Sequence, residues 1–177
     1  AFSGSIGTSA AGLFALDYAT DDGPRRMLTM QLEPIDGRRV VPMWDEPATK
    51  ATFALEVVIP QDQVAFSNMP EASNRVVGDT RHVRFQSTPK MSSYLLHLSV
   101  GDLERVSRTI EGVEVGIVMR SGAGAMAKFA LDATAEILPW YNNYFGTPYP
   151  LPKLDMIAVP GQSSFFGAME NWGAILY

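Results

Sequence analysis

The sequence predicts a mainly β protein with an α+β end. Short runs in which apolar and polar residues alternate with period two recur within residues 1–120, and turn-forming residues separate them. A single helical stripe begins after Ser121, and two short apolar runs follow it. Short alternating runs joined by polar turns pack as antiparallel sheets, so the first part is expected to be an antiparallel β-sandwich or layered sheet.

Taken in order, RRMLTMQLEP sets Leu28, Met30 and Leu32 against Met27, Thr29, Gln31 and Glu33. TFALEVVIP lines up Phe53, Leu55, Val57 and Ile59, and Pro60 closes the run. RHVRFQ puts Val83 and Phe85 on one face. SYLLHLSVG does the same for Tyr94, Leu96, Leu98 and Val100, and VEVGIVM for Val113, Val115, Ile117 and Met119. Asp22-Gly23-Pro24, Asp36-Gly37, Asn68 to Pro70, Gly78-Asp79 and Glu111-Gly112 supply the turns between runs.

The period changes at Ser121. Ala127, Ala130, Thr134, Ile137, Tyr141 and Tyr144, widened by Leu131, Leu138 and Phe145, form a helical stripe, with Gly146 as its C-terminal stop. Pro139 lies inside it and predicts a bend. TPYPLPKLD reads as an extended connection, and LDMIAVP and GAILY as short strands. The domain division is therefore expected between residues 1–120 and 121–177.

Composition narrows the classes. With 46% hydrophobic and 19% charged residues the chain is suited to a packed core. A net charge of −5 argues against nucleic acid as a partner, since no basic face is available for phosphates. The absence of cysteine excludes disulfides and thiolate metal sites and leaves the compartment open. No apolar run is long enough to predict a membrane span. The first ten residues lack an initiator Met and the pattern of a signal peptide, so the chain reads as already under way there.

Few residues offer chemistry. His82 and His97 both lie in strand patterns and lack metal-ligand spacing. No nucleophile elbow, P-loop or dinucleotide fingerprint occurs. The carboxylates are more telling. Glu33 and Gln31 share one strand face, which suits a solvated surface as well as a site. The acids of WDEP, residues 44–47, suit a helix start or a turn cap. Glu170 sits in SSFFGAMENWG among Phe165, Phe166, Met169 and Trp172, where spacing alone allows either a turn cap or a functional carboxylate.

Five blocks together resemble one family. TMQLEPIDGRRVVPMWDEPATKATFALEVVIP, AFSNMP, STPKMSSYLLHLSVG, YFGTPYPLPKLDMIAVP and FGAMENWGAILY are similar, in order and spacing, to the M1 zinc metallo-aminopeptidases. GAMEN followed by Trp-Gly is that family's exopeptidase motif. The resemblance implies a saddle-like N-terminal β domain, followed by the opening helix and edge strands of a thermolysin-like catalytic domain.

The resemblance also implies roles. Glu170 and Glu33 would hold the free α-ammonium of a peptide, and Gln31 would line the pocket for its first side chain. Gly167, Ala168 and Met169 would border the extended substrate, while Phe165, Phe166 and Met169 suit packing or pocket wall. The family's zinc ligands, general base and catalytic tyrosine match no position here. Zinc is thus expected in a longer parent and turnover is not expected of this chain alone. Apolar faces left open would favour self-association. Two further readings share these blocks: the epoxide-hydrolase/aminopeptidase branch of the family, and an M1-like scaffold without catalysis.

Overall fold

The computed structural model describes residues 2–161 and 167–177. Among these residues, eleven strands form three sheets, and one long helix crosses between two of the strands. The first sheet has the order β1-β2-β7-β4, from β1 Gly12–Thr20, β2 Gly23–Gln31, β4 Val64–Ser67 and β7 Leu98–Gly101. All of its pairings are antiparallel. The second is antiparallel with order β3-β6-β5, from β3 Glu56–Pro60, β5 Glu71–Val77 and β6 Thr80–Phe85.

The third sheet has the order β11-β10-β9-β8. Its strands are β8 Leu103–Ile110, β9 Val113–Arg120, β10 Lys153–Ile157 and β11 Ala174–Leu176. β8 and β9 form an antiparallel hairpin, whereas β9, β10 and β11 run parallel. Parallel neighbours need a crossover, and α1, Ala127–Phe145, supplies the one from β9 to β10. The sheets divide at Asp102, between β7 and β8. The change of pattern at Ser121 marks the turn into α1, across which the third sheet continues.

This sheet is covered on both faces. Val115, Ile117 and Met119 pack with Ala127, Leu131 and Leu138 of α1. Val118, Ile157, Met169 and Leu176 join the core of the first two sheets, with Met27, Met30, Leu32, Val83 and Phe85. Burial on two sides explains why β9 is nearly continuous in apolar residues.

Local differences from the sequence reading have physical causes. TFALEVVIP is strand only from Glu56, although the Phe53 and Leu55 carbonyls accept bonds from Thr88 and Phe85. In SYLLHLSVG, Ser93–Leu95 is a 3-10 turn, and strand begins at Leu98. Helix α1 runs through Pro139 without interruption. Gly146 ends it at φ 63°, a left-handed cap for which glycine has no steric penalty. Its outer stripe is not covered: Ile137, Tyr141, Tyr144 and Phe145 are exposed, and a recess of about 870 Å³ opens between α1 and the sheet. No described helix is long and apolar enough to cross a membrane.

Two polar clusters lie inside. Arg105 pairs with Asp155 at 2.8 Å and with Glu114, while buried Lys153 donates to Asp155 at 2.8 Å and to the Gly173 carbonyl at 2.6 Å. His97 is fully buried, with Nε2 at 2.8 Å from Ser99 Oγ, which meets Thr29 Oγ1 at 2.9 Å. Burial first, and the Lys153 charge second, push the His97 imidazole down to about 3.

That shift has a pH consequence. The unfolded chain takes up a proton at this histidine near pH ~6.5, while the folded chain resists until about pH 3. Stability therefore falls with pH through that window, by on the order of 3 kcal/mol at pH 4 from His97 alone. Urea unfolding at pH 7 and pH 4 checks this: His97→Gln should narrow the gap between the two midpoints, and an unchanged gap contradicts it.

Candidate functional site

The chain around Glu170 alternates inward and outward. Met169 is 1% exposed and packs in the main core. It also bridges Leu176 in antiparallel fashion, N–H to carbonyl at 2.8 Å and the reverse at 3.2 Å. Glu170 is exposed and Asn171 is buried again. The apolar neighbours in the sequence thus do not bury Glu170; the alternation turns it outward. The Met169 side chain serves packing and is not open to a ligand, because the core closes over it.

Asn171 and Asn68 hold this segment. Asn171 Nδ2 donates to the Leu95 and Leu96 carbonyls at 3.2 and 3.5 Å. Buried Asn68 donates from Nδ2 to Leu95 at 2.8 Å and to the Trp172 carbonyl at 2.9 Å, and its Oδ1 accepts from the His97 N–H at 2.8 Å. Gly173 lies against the Asn68 backbone, at φ 73°, where a Cβ would collide with the Asn68 carbonyl oxygen. One asparagine therefore joins the first sheet, the turn at Ser93–Leu95 and the chain leading to β11.

Tyr94 stands beside Glu170. Its ring packs against the main core, and its hydroxyl donates to Glu170 Oε1 at 3.3 Å. Burial pushes the Tyr94 hydroxyl pKa up, then the Glu170 charge and hydrogen bond, then the charge of Glu33. Glu33 lies just past β2 and is exposed. Gln31 ends β2, half-buried, and its Oε1 has no hydrogen-bond partner among the described residues.

Gly167 and Ala168 are exposed, and their backbone groups take no hydrogen-bond partner within the described residues. They form an open length of chain beside Glu170. Phe165 and Phe166 lie outside the described residues. Glu170 also borders a largely apolar recess of about 320 Å³ with Leu151, Leu154 and Trp172.

Asp45 of WDEP has a building role. It is buried, and its Oδ1 accepts from Ser93 Oγ at 2.6 Å while Oδ2 accepts from the Arg38 N–H at 3.0 Å. Burial works to raise its pKa, but the Ser93 and Arg38 hydrogen bonds and the Arg38 charge outweigh it and hold the carboxyl below its ordinary value. The sequence placed Asn68 in a turn and Tyr94 on a strand face, and gave neither of them, nor Asn171, a part in the site. A buried polar residue within an apolar run, as in AFSNMP, was the available signal.

Among the described residues, no group of three or more His, Asp or Glu is placed to hold a metal ion. What the arrangement offers is acceptors for a cation and open backbone for an extended chain.

Comparison with known proteins places this architecture. The model described as the Peptidase M1 N-terminal domain matches residues 1–95, and the one described as the Peptidase family M1 domain matches residues 129–177. The class is thus the one in which an M1 N-terminal domain precedes an M1 family domain. The chain belongs to the M1 peptidase family. It is 45% identical, over 99% of its length, to aminopeptidase N of Acetobacter pasteurianus and spans 50% of that protein. It is 40% identical to aminopeptidase M1 of Arabidopsis thaliana and to aminopeptidase M1-C of Oryza sativa subsp. japonica, over 99% of this chain and 20% of each.

Proposed function

We propose that this chain is the substrate-recognition part of a metallo-aminopeptidase that removes residues from the free N-terminus of peptides. The observation that carries the reading is the exposed Glu170 carboxylate at Tyr94, beside Gly167 and Ala168, whose backbone groups take no partner among the described residues; Glu33, exposed just past β2, is the second acceptor in this reading. A peptide's α-ammonium has donors for two carboxylates and no acceptor of its own. Charged hydrogen bonds of this kind contribute roughly 1.5–3 kcal/mol each. The backbone at Gly167 and Ala168 then pairs with the peptide main chain and gives affinity without reading sequence. Gln31, at the end of β2, borders the first side chain.

M1 peptidases depend on zinc as a family. The described residues do not form a set that fits such a metal, and the chemistry assigned to this chain is confined to binding. Glu33 follows β2 of the first sheet and Glu170 lies on the chain leading to β11 of the third, so the two carboxylates come from different sheets.

The test compares a peptide with its N-acetylated form, as competing ligands of the full-length, metal-loaded protein. The free-amine form should bind at least ~100-fold more tightly, the factor expected from two charged hydrogen bonds. Equal affinities would sink the reading.

A further inference from the structure

The turn that carries Tyr94 is fastened on both sides. On one side Ser93 donates to buried Asp45 at 2.6 Å, and Ser92 donates to the Pro47 carbonyl at 2.7 Å while accepting from Lys50 at 2.8 Å. On the other, the Leu95 carbonyl accepts from both Asn68 and Asn171. Tyr94 sits between these anchors, next in sequence to Ser93 and Leu95. Glu170 is next in sequence to Asn171 on the opposing segment. The two functional side chains are thus each one residue from the same bridge.

An exposed glutamate on an otherwise free side chain samples several rotamers, and fixing it costs side-chain entropy on binding. A phenol held by packing on one side and offering its hydroxyl to one carboxylate oxygen removes much of that freedom beforehand. Tyrosine suits this task, since its ring can be buried while its hydroxyl faces the wet site. The anchors are several and mostly buried, so the phenol has little freedom to follow a wandering carboxylate. Nothing else described donates a side-chain hydrogen bond to Glu170.

We propose that Tyr94 is a positioning residue for amine recognition, its hydroxyl holding Glu170 Oε1 so that the other carboxylate oxygen faces the substrate ammonium. This rests on the amine-recognition reading above. WDEP then acts at a distance: Asp45 fixes Ser93, Ser93 fixes the turn, and the turn presents Tyr94.

The experiment uses the full-length, metal-loaded protein and one ligand pair, a competitive inhibitor with a free α-amino group and its des-amino counterpart. The readout is the ratio of their inhibition constants, with melting temperature measured alongside. Tyr94→Phe keeps the ring and should shrink the ratio roughly tenfold, the lower end for a hydrogen bond to a charged group, with little change in melting. A merely structural role would lower melting and weaken both ligands alike, leaving the ratio in place.

Ser93→Ala removes one anchor of the turn while leaving the Tyr94 hydroxyl, and should move the ratio the same way by a smaller factor; an unchanged ratio there counts against positioning even if Tyr94→Phe folds poorly. Glu170→Gln separates the two ideas. If it collapses the ratio while Tyr94→Phe leaves it at the wild-type value, the inference falls and the amine reading stands. If neither variant moves it, both fall.

Discussion

Glu170→Gln should remove most of the protein's preference for a free amine. The substitution keeps size and shape and takes away the charge. It leaves Met169 in the core and the asparagine bridge intact, so folding should be unaffected. One charged hydrogen bond lost against an ammonium corresponds to a drop in affinity of roughly 10- to 100-fold for free-amine ligands. Ligands lacking the amine should bind almost as before. Glu33→Gln should act in the same direction. If both carboxylates grip one ammonium, as proposed, the double variant should lose less than the sum of the two single losses. Inhibition constants for the four proteins measure this directly, and strict additivity would show that the two side chains serve different parts of the ligand.

The second large effect is on stability. Asp155 is buried and accepts from both Lys153 and Arg105. Asp155→Ala leaves a buried ammonium and a largely buried guanidinium without that partner, since Glu114 contacts only Arg105. Breaking one side of such a cluster costs about 3–5 kcal/mol. Burial already works to lower the Lys153 pKa and outweighs the opposing Asp155 charge, so the lysine is poised to lose its proton once Asp155 is gone. Denaturant unfolding at neutral pH should show the loss, and it should lessen as pH rises and Lys153 is neutralised. Replacing Lys153 and Asp155 together with apolar residues of similar volume should restore most of it. A single Asp155→Ala variant as stable as wild type would mean the cluster is well solvated.

The cluster also touches the site. Lys153 binds the Gly173 carbonyl, three residues beyond Glu170, and Gly116 lets Arg105 and Asp155 approach across β9 where any Cβ would collide with them. Stability and recognition share this stretch of chain, so the Asp155 variant is expected to weaken amine and des-amino ligands alike. The Glu170 variant, by contrast, separates them.

Much of the architecture was legible because period two reports a face. Val83 and Phe85 are buried, as are Val113, Val115, Ile117 and Met119. The helix and its glycine cap were legible for the same local reason. Other strands were not. β5 is exposed along its whole length, so no burial pattern marks it; pairing with β6 makes it a strand. β1 did carry a signal, since Phe14 and Tyr18 lie an even number of residues apart and both are buried. SYLLHLSVG misled because both sides of it are covered: Ser93 and His97 are as buried as Leu96 and Leu98, and alternation there separates no inside from an outside.

By itself the sequence determined a β-rich chain with one late helix, and its five blocks pointed to the family and to Glu33 and Glu170. Only the tertiary structure decided that Met169 is core, that Glu170 faces outward, and that Asp45, Ser93, Asn68 and Asn171 hold the turn bearing Tyr94. The physical reason is range. Periodicity records which face of one element is buried, whereas these hydrogen bonds join residues 27 to 104 positions apart. They exist only once three sheets have packed.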